Sequence, residues 1–334
     1  MKKIFIHTGY PKTATSALQY FLHNNPELLK RHQLYYPQEG LALPERGHHN
    51  LVRSIPFCFH TKELYRPRLG NFKTLLKEIS RKEEDIIISS EGFTPLFNRY
   101  PERTHQYLNK ALKGCEMEYL IVVRKADEFI ESNFFQRLNA WSRGRWKKRL
   151  PSIKTTKEQN LNGELVYLKM VEQTFDLGAK VTVFNYNSNI VTEVANYITK
   201  SSVTVPKALV NQRKTRKLLS LLYTLSNHAR HAEYQELFFK NTAQILRTFA
   251  EHEKEKYGIF TPSECAQLVE KYTQKLEQIN TKYDRKIAIP GEDKRERAFF
   301  LVNNFNDEQL KLIHSIFGLD VQKIIARELS EHLV

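Results

Sequence analysis

Short apolar runs alternate with amphipathic stretches through the first 200 positions. Lys3–His7 carries Ile4-Phe5-Ile6, and Asp85–Ser89 carries Ile86-Ile87-Ile88. Tyr119–Val123 has the same character, and Lys180–Phe184 reads as a further strand. Short apolar runs of about three to five residues suit strands covered on both faces of a parallel sheet. Between them the period changes to that of a helix. Thr13–His23 sets Ala17, Leu18, Phe21 and Leu22 on one stripe; Phe72–Ser80, the stretch from Lys125 to about Trp141, and Ile190–Thr199 also read as helices. The alternation predicts an α/β fold, a parallel sheet flanked by helices. Residues 35–70 read instead as a long irregular connection, broken by Pro37, Pro44, Pro56 and Pro67. Connections of that length are often functional.

Beyond residue 200 the pattern is helical. Thr215–Arg230 spaces Leu218, Leu219, Leu222 and Leu225 as a helix does, and Glu233–His252 reads as another. Thr261-Pro262-Ser263-Glu264 is a helix start, with a hydroxyl cap, an early proline and a glutamate three positions on. A stripe from Cys265 to Tyr283 follows, and Asp307–Phe317 reads as a late helix. The expected organisation is one domain over 1–334, with an α/β nucleotide-binding core in 1–200 and a mainly helical extension in 201–334.

Charge narrows the partners. The 334 residues carry a net charge of +15. That balance favours anionic partners such as nucleotides, acidic glycans, nucleic acid or a membrane surface, and does not choose among them. Cys58, Cys115 and Cys265 are scattered, without metal-ligand spacing or a disulfide framework. A reducing compartment, the cytoplasm, is expected. The apolar run after Met1-Lys2-Lys3 stops at His7, short of the roughly 7–15 residues of a secretory leader, and no stretch approaches the ~18 of a membrane span. Peripheral contact with a membrane surface stays open.

The chemistry concentrates at two strand ends. After Ile4-Phe5-Ile6-His7 comes Thr8-Gly9-Tyr10-Pro11-Lys12-Thr13-Ala14-Thr15-Ser16, a turn into a helix that begins with lysine and small hydroxyls. Free N–H groups and the dipole at a helix start attract an anion, and Lys12 adds a full charge. The spacing is not that of G-x-x-x-x-G-K-[ST], because Gly9 stands only three positions before Lys12. The second strand, Tyr119–Val123, ends in Arg124, and Ser132 and Gln136 follow four apart on one helix face. A guanidinium fork suits a phosphate.

Residues 9–16 resemble the 5′-phosphosulfate loop of sulfotransferases that use 3′-phosphoadenosine 5′-phosphosulfate (PAPS), with the pattern P-K-[TS]-G-T-[TS] often followed by Leu-Gln, here Leu18-Gln19. Ala14 stands where glycine is common, a mild departure because a helical position tolerates alanine. Arg124 and Ser132 resemble the same family's 3′-phosphate motif. Two weaker likenesses to bacterial members are Val210-Asn211-Gln212-Arg213 and Phe260–Tyr283. The resemblance implies a P-loop-like sheet and sulfuryl transfer from PAPS, with 3′,5′-ADP as product. It implies a hydroxyl or amine acceptor on a glycan or glycolipid, and no metal. Pro11, Lys12, Thr13, Ala14, Thr15 and Ser16 would hold the 5′-phosphate, Arg124 and Ser132 the 3′-phosphate, and Lys12 would also act in catalysis.

Two candidates stand for the base. Glu91, in Ser89-Ser90-Glu91-Gly92, follows a buried strand, at the sheet edge where α/β ligands bind. Its position resembles that of the catalytic glutamate in heparan-type glycan sulfotransferases. The pair His48-His49 in the long connection is the other, with His49 as a titratable base or an acceptor contact. The basic, aromatic run Trp141–Arg149 and the cluster Arg213, Lys214, Arg216 and Lys217 read equally as binding elements or solvated charge. Two other functions remain: a kinase-like phosphotransferase, needing ATP and magnesium, and a basic nucleic-acid-binding protein, for which no recognised motif appears.

Overall fold

The structure, a computed structural model, describes residues 1–10, 12–58, 61–145, 147–163, 165, 168–205, 215–249, 257–288, 298–302 and 304–332. In chain order the first elements are β1 (Lys3–His7), α1 (Thr15–Asn24), α2 (Pro26–Arg31), β2 (Leu34–Tyr35), α3 (His49–Ser54), α4 (Phe72–Ile79), β3 (Asp85–Ser89), α5 (Phe93–Arg99), α6 (Pro101–Ala111) and β4 (Glu116–Val123). Then come α7 (Ala126–Ser142), α8 (Ile153–Leu161), α9 (Lys169–Asp176), β5 (Lys180–Asn185), α10 (Ile190–Thr199), α11 (Arg216–Asn227), α12 (His231–Lys240) and α13 (Thr242–Thr248). The chain closes with β6 (Tyr257–Gly258), α14 (Pro262–Tyr283), β7 (Ala298–Phe299), α15 (Asp307–Phe317) and α16 (Val321–His332).

These elements form two compact units interleaved along the chain. The first holds residues 1–125, 165–210 and 272–290; the second holds 126–164, 211–271 and 291–334. The division is therefore not the cut near residue 200 that the change of pattern suggested. The helix after Arg124 falls in the second unit, and the last turns of α14 fall in the first.

The first unit is built on a five-stranded sheet, every pair parallel, in the order β2-β3-β1-β4-β5. Successive side chains take opposite faces. Phe5, Ile87, Leu120 and Val122 pack with Leu18, Phe21 and Leu22 of α1 and Ile190, Val194 and Ile198 of α10. On the other face Phe97 of α5 meets Tyr119 edge-on at 5.2 Å, and His105 Nδ1 of α6 lies 3.0 Å from the Tyr119 hydroxyl. Helices thus cover both faces, as the unbroken apolar runs required.

In the second unit α11 is buried from Leu218 through Ser226 and packs against α7, α12 and α16. Phe134, Phe135, Tyr223 and Phe300 form an edge-to-face cluster. The buried Glu131 carboxylate accepts the Ile259 N–H at 2.9 Å. The single helix expected over Glu233–His252 is two, α12 and α13, separated by Asn241; residues 250–252 lie outside the described residues. Among the described residues, no helix is long and apolar enough to cross a membrane.

Candidate functional site

The first unit places its polar chemistry at the carboxyl ends of β1, β3 and β4. At the end of β1 the Thr8 N–H donates to Leu120 O at 3.1 Å, and the chain then turns. Tyr10 is buried, and its carbonyl accepts from Thr13 Oγ1 at 2.7 Å. Lys12 and Ala14, on either side of Thr13, both adopt the left-handed conformation, with φ of 65° and 63°. The first helical bond runs from Leu18 N–H to Ala14 O at 3.0 Å. The N–H groups of Thr15, Ser16 and Ala17 therefore have no acceptor within the helix and stand at its positive end. Gly9 makes the tight turn possible: a Cβ there would lie 2.0 Å from Thr15 Oγ1. Pro11 lies outside the described residues.

Ala14 corrects one reading. It is not a helical position that takes alanine freely but the N-cap of α1, at positive φ. A left-handed non-glycine residue costs about 1–2 kcal/mol, offset in part by the lower chain entropy of alanine when unfolded. Ala14→Gly is therefore expected to keep the melting temperature within a few degrees, while Ala14→Val lowers it. A clear loss of stability in Ala14→Gly would contradict the assignment.

At the end of β3 the Ser90 N–H donates to His7 O at 3.1 Å, holding this strand end beside the β1 turn. Glu91 follows. Burial pushes its carboxyl up to about 7, against the pull of the Lys12 charge, which favours the carboxylate. A carboxyl that titrates near neutrality is suited to taking a proton.

The two adjacent histidines divide their roles. His48, read as part of an irregular loop, is fully buried. Its N–H donates to Ser89 O at 2.7 Å, and its Nδ1 accepts the Ser89 N–H at 3.1 Å. Its Nε2 must then carry the proton, donated to Pro37 O at 3.0 Å. Burial pushes this imidazole down to about 4, so it is a neutral clamp that ties the long connection to β3. His49 opens α3, and its Nδ1 lies 2.9 Å from Ser90 Oγ, one residue before Glu91. Burial first, then the Arg53 charge, lowers its pKa. Its approach requires Gly47, where a Cβ would lie 2.5 Å from Gln19 Nε2 and 2.7 Å from His49 Nε2.

Beneath these groups runs a buried polar chain that sequence reasoning missed. His7 Nδ1 lies 2.8 Å from Ser89 Oγ, which also accepts from Gln19 Nε2 at 3.2 Å. Burial pushes His7 down to about 4, so it stays neutral. The Leu18-Gln19 pair was the one available signal, and it pointed to Gln19 without revealing its partner 70 residues away.

Arg124 follows the last residue of β4. Its Nη1 donates to Lys12 O at 2.9 Å, and its guanidinium lies over the Tyr186 ring, 4.3 Å from the centroid. Tyr186 is itself fixed by its N–H, which donates to Val123 O at 2.7 Å. The first unit thus contributes Lys12, Thr13, Ala14, Thr15, Ser16, His49, Glu91 and Arg124. Ser132 sits on α7, in the second unit. Val210-Asn211-Gln212-Arg213 and Lys214 lie outside the described residues.

In comparisons with known proteins, no family model, no curated protein and no solved structure matches the chain significantly.

Proposed function

We propose that the protein is a PAPS-dependent sulfotransferase, moving a sulfuryl group to a hydroxyl or amine of a glycan or glycolipid. The observation that carries this reading is the pairing of two strand ends. A Lys12 turn lined with helix N–H groups and hydroxyls stands at the end of β1, and a carboxyl titrating near 7 stands at the end of the neighbouring β3. The order β2-β3-β1-β4-β5 adds support. The connections from β1 and β3 leave in opposite directions along the sheet, which makes their carboxyl ends a switch point of the kind that binds nucleotides in P-loop-like folds.

In this reading PAPS supplies an activated sulfuryl group joined to the 5′-phosphate. Glu91 takes the proton from the acceptor as its oxygen or nitrogen bonds to sulfur. Lys12 offsets the charge gathering on the phosphate oxygen as the old S–O bond breaks. The N–H groups of Thr13, Ala14, Thr15 and Ser16 and the Ser16 hydroxyl hold the 5′-phosphate, while the Thr13 hydroxyl braces the turn on Tyr10 O. Arg124 takes the 3′-phosphate, with Ser132 assigned from the resemblance alone. His49, neutral and oriented by Ser90, positions the acceptor.

Nucleotide protection tests the class. At saturating concentration 3′,5′-ADP is expected to raise the melting temperature by several degrees, the effect of about 2.7 kcal/mol at a hundredfold excess over Kd. ATP with magnesium, or duplex DNA, is expected to do less. Equal or greater protection by either would favour a phosphotransferase or a nucleic-acid-binding protein.

A further inference from the structure

In the second unit a run of cations leaves α7 beside α12, and exposed apolar side chains lie at the end of α12 and on α13. Residues 143–149 contribute Arg143, Arg145, Lys147, Lys148 and Arg149, all exposed. The segment leaves α7 in a fixed way: Gly144 N–H bonds Trp141 O at 3.0 Å, and Arg145 N–H bonds Ala140 O at 2.9 Å. Its root packs on α12. Gln235 Nε2 donates to Trp141 O at 2.7 Å, and the buried Trp141 ring lies 6.4 Å from Phe238. At the start of α12, Arg149 is close enough to His228 to help lower its pKa, after burial and Arg230.

One turn beyond Gln235, on the same helix face, stands Phe239, which is 65% exposed. On α13, beyond Asn241, Ala243 and Leu246 extend the exposed apolar surface, with Leu246 40% exposed. Lys240 and Arg247 run beside it, both exposed. The acids of α12 are Glu233, which is paired with Arg230, and the exposed Glu236. A protruding phenylalanine and leucine bordered by cations match the interfacial region of a bilayer. There the apolar groups enter the acyl boundary and each nearby Lys or Arg gains from anionic headgroups.

We propose that this face of the second unit docks on the surface of an anionic lipid bilayer. The charge pattern selects this occupant. A second copy of a chain with net charge +15 would bring like charges together. A soluble polyanion would use the cations and leave Phe239 and Leu246 without a role. The inference does not rest on the sulfotransferase reading.

Co-sedimentation of the full chain with phosphatidylcholine vesicles, with and without phosphatidylglycerol, tests it. Binding is expected only to the anionic vesicles. Phe239→Ser/Leu246→Ser is expected to weaken it about tenfold or more, from the loss of buried apolar area. Lys147→Gln/Lys148→Gln/Arg149→Gln is expected to weaken it by a similar factor, from lost headgroup attraction. The altered side chains are exposed, and a melting curve for each variant confirms that the fold is kept. Washing bound protein with concentrated salt gives a second reading, because inserted apolar side chains hold through screening that releases electrostatic contacts. No binding to anionic vesicles overturns the proposal. So does binding that the serine pair leaves unchanged and salt removes completely, which would mark the face as a polyanion site.

Discussion

Gly9→Ala is expected to abolish 3′,5′-ADP binding and to lower the melting temperature by several degrees. The added Cβ would lie 2.0 Å from Thr15 Oγ1, 2.7 Å from its Cγ2 and 2.9 Å from its Cβ. Rotation of Thr15 relieves the first two contacts and not the third, so backbone must move. Overpacking of this kind costs about 1–3 kcal/mol, and here it falls on the first residue of α1. The N–H groups of Thr15, Ser16 and Ala17 shift with it, and the anion site loses its geometry. Thr15→Ala in the same chain removes the two closest atoms and is expected to recover part of the stability. Calorimetric titration and melting curves of the single and double variants check both statements. Full nucleotide binding by Gly9→Ala would show that the turn is not the anion site.

Glu91→Gln is expected to separate chemistry from binding. With 3′,5′-ADP release from PAPS measured against free and lipid-linked polysaccharide acceptors, the rate is expected to fall by roughly 10²–10⁴, the usual worth of a general base. Affinity for 3′,5′-ADP is expected to stay near that of the unaltered protein. The wild-type rate should rise with pH and level off above about 7, as the carboxyl ionises. Lys12→Ala removes the positive charge that favours the carboxylate, so the Glu91 midpoint, followed by carbon NMR of the side chain, should move higher still. Stability follows the opposite sign. The folded state keeps a proton that the unfolded chain releases from about pH 4.5, so burial of Glu91 costs stability as pH rises from there to about 7. Glu91→Gln should flatten that slope. An unchanged rate in Glu91→Gln would remove it as the base.

The strands of the first unit were legible because sheet burial leaves a local mark. Ile4-Phe5-Ile6 and Ile86-Ile87-Ile88 announce themselves without reference to the rest of the chain. The position of Glu91 just past a strand was read from the end of the second run, beside a resemblance to a family position. The order of the strands carries no such mark, since β1 lies between β3 and β4 through pairings more than 75 residues apart. The same limit hid His48. Two neighbouring histidines in a proline-rich stretch look like surface residues until Ser89, 41 positions away, bonds one of them on both sides. Ala14 was misread because conformation at a helix cap depends on the turn before it, and an alanine does not advertise a positive φ as a glycine would. The helix after Arg124 was foreseen by its period. Its place in the second unit was not, because membership depends on packing against segments such as α11 that are remote in sequence.

Under the proposed function this site recognises a nucleotide by its 3′-phosphate. Calorimetric binding of 3′,5′-ADP to the wild type and to Arg124→Ala, with 5′-AMP as the control, tests it most directly. Tight binding is expected, weakening by roughly tenfold or more when either the 3′-phosphate or the guanidinium is removed, the worth of a charged hydrogen bond. Failure of 3′,5′-ADP to bind, or 5′-AMP binding equally well, would contradict it.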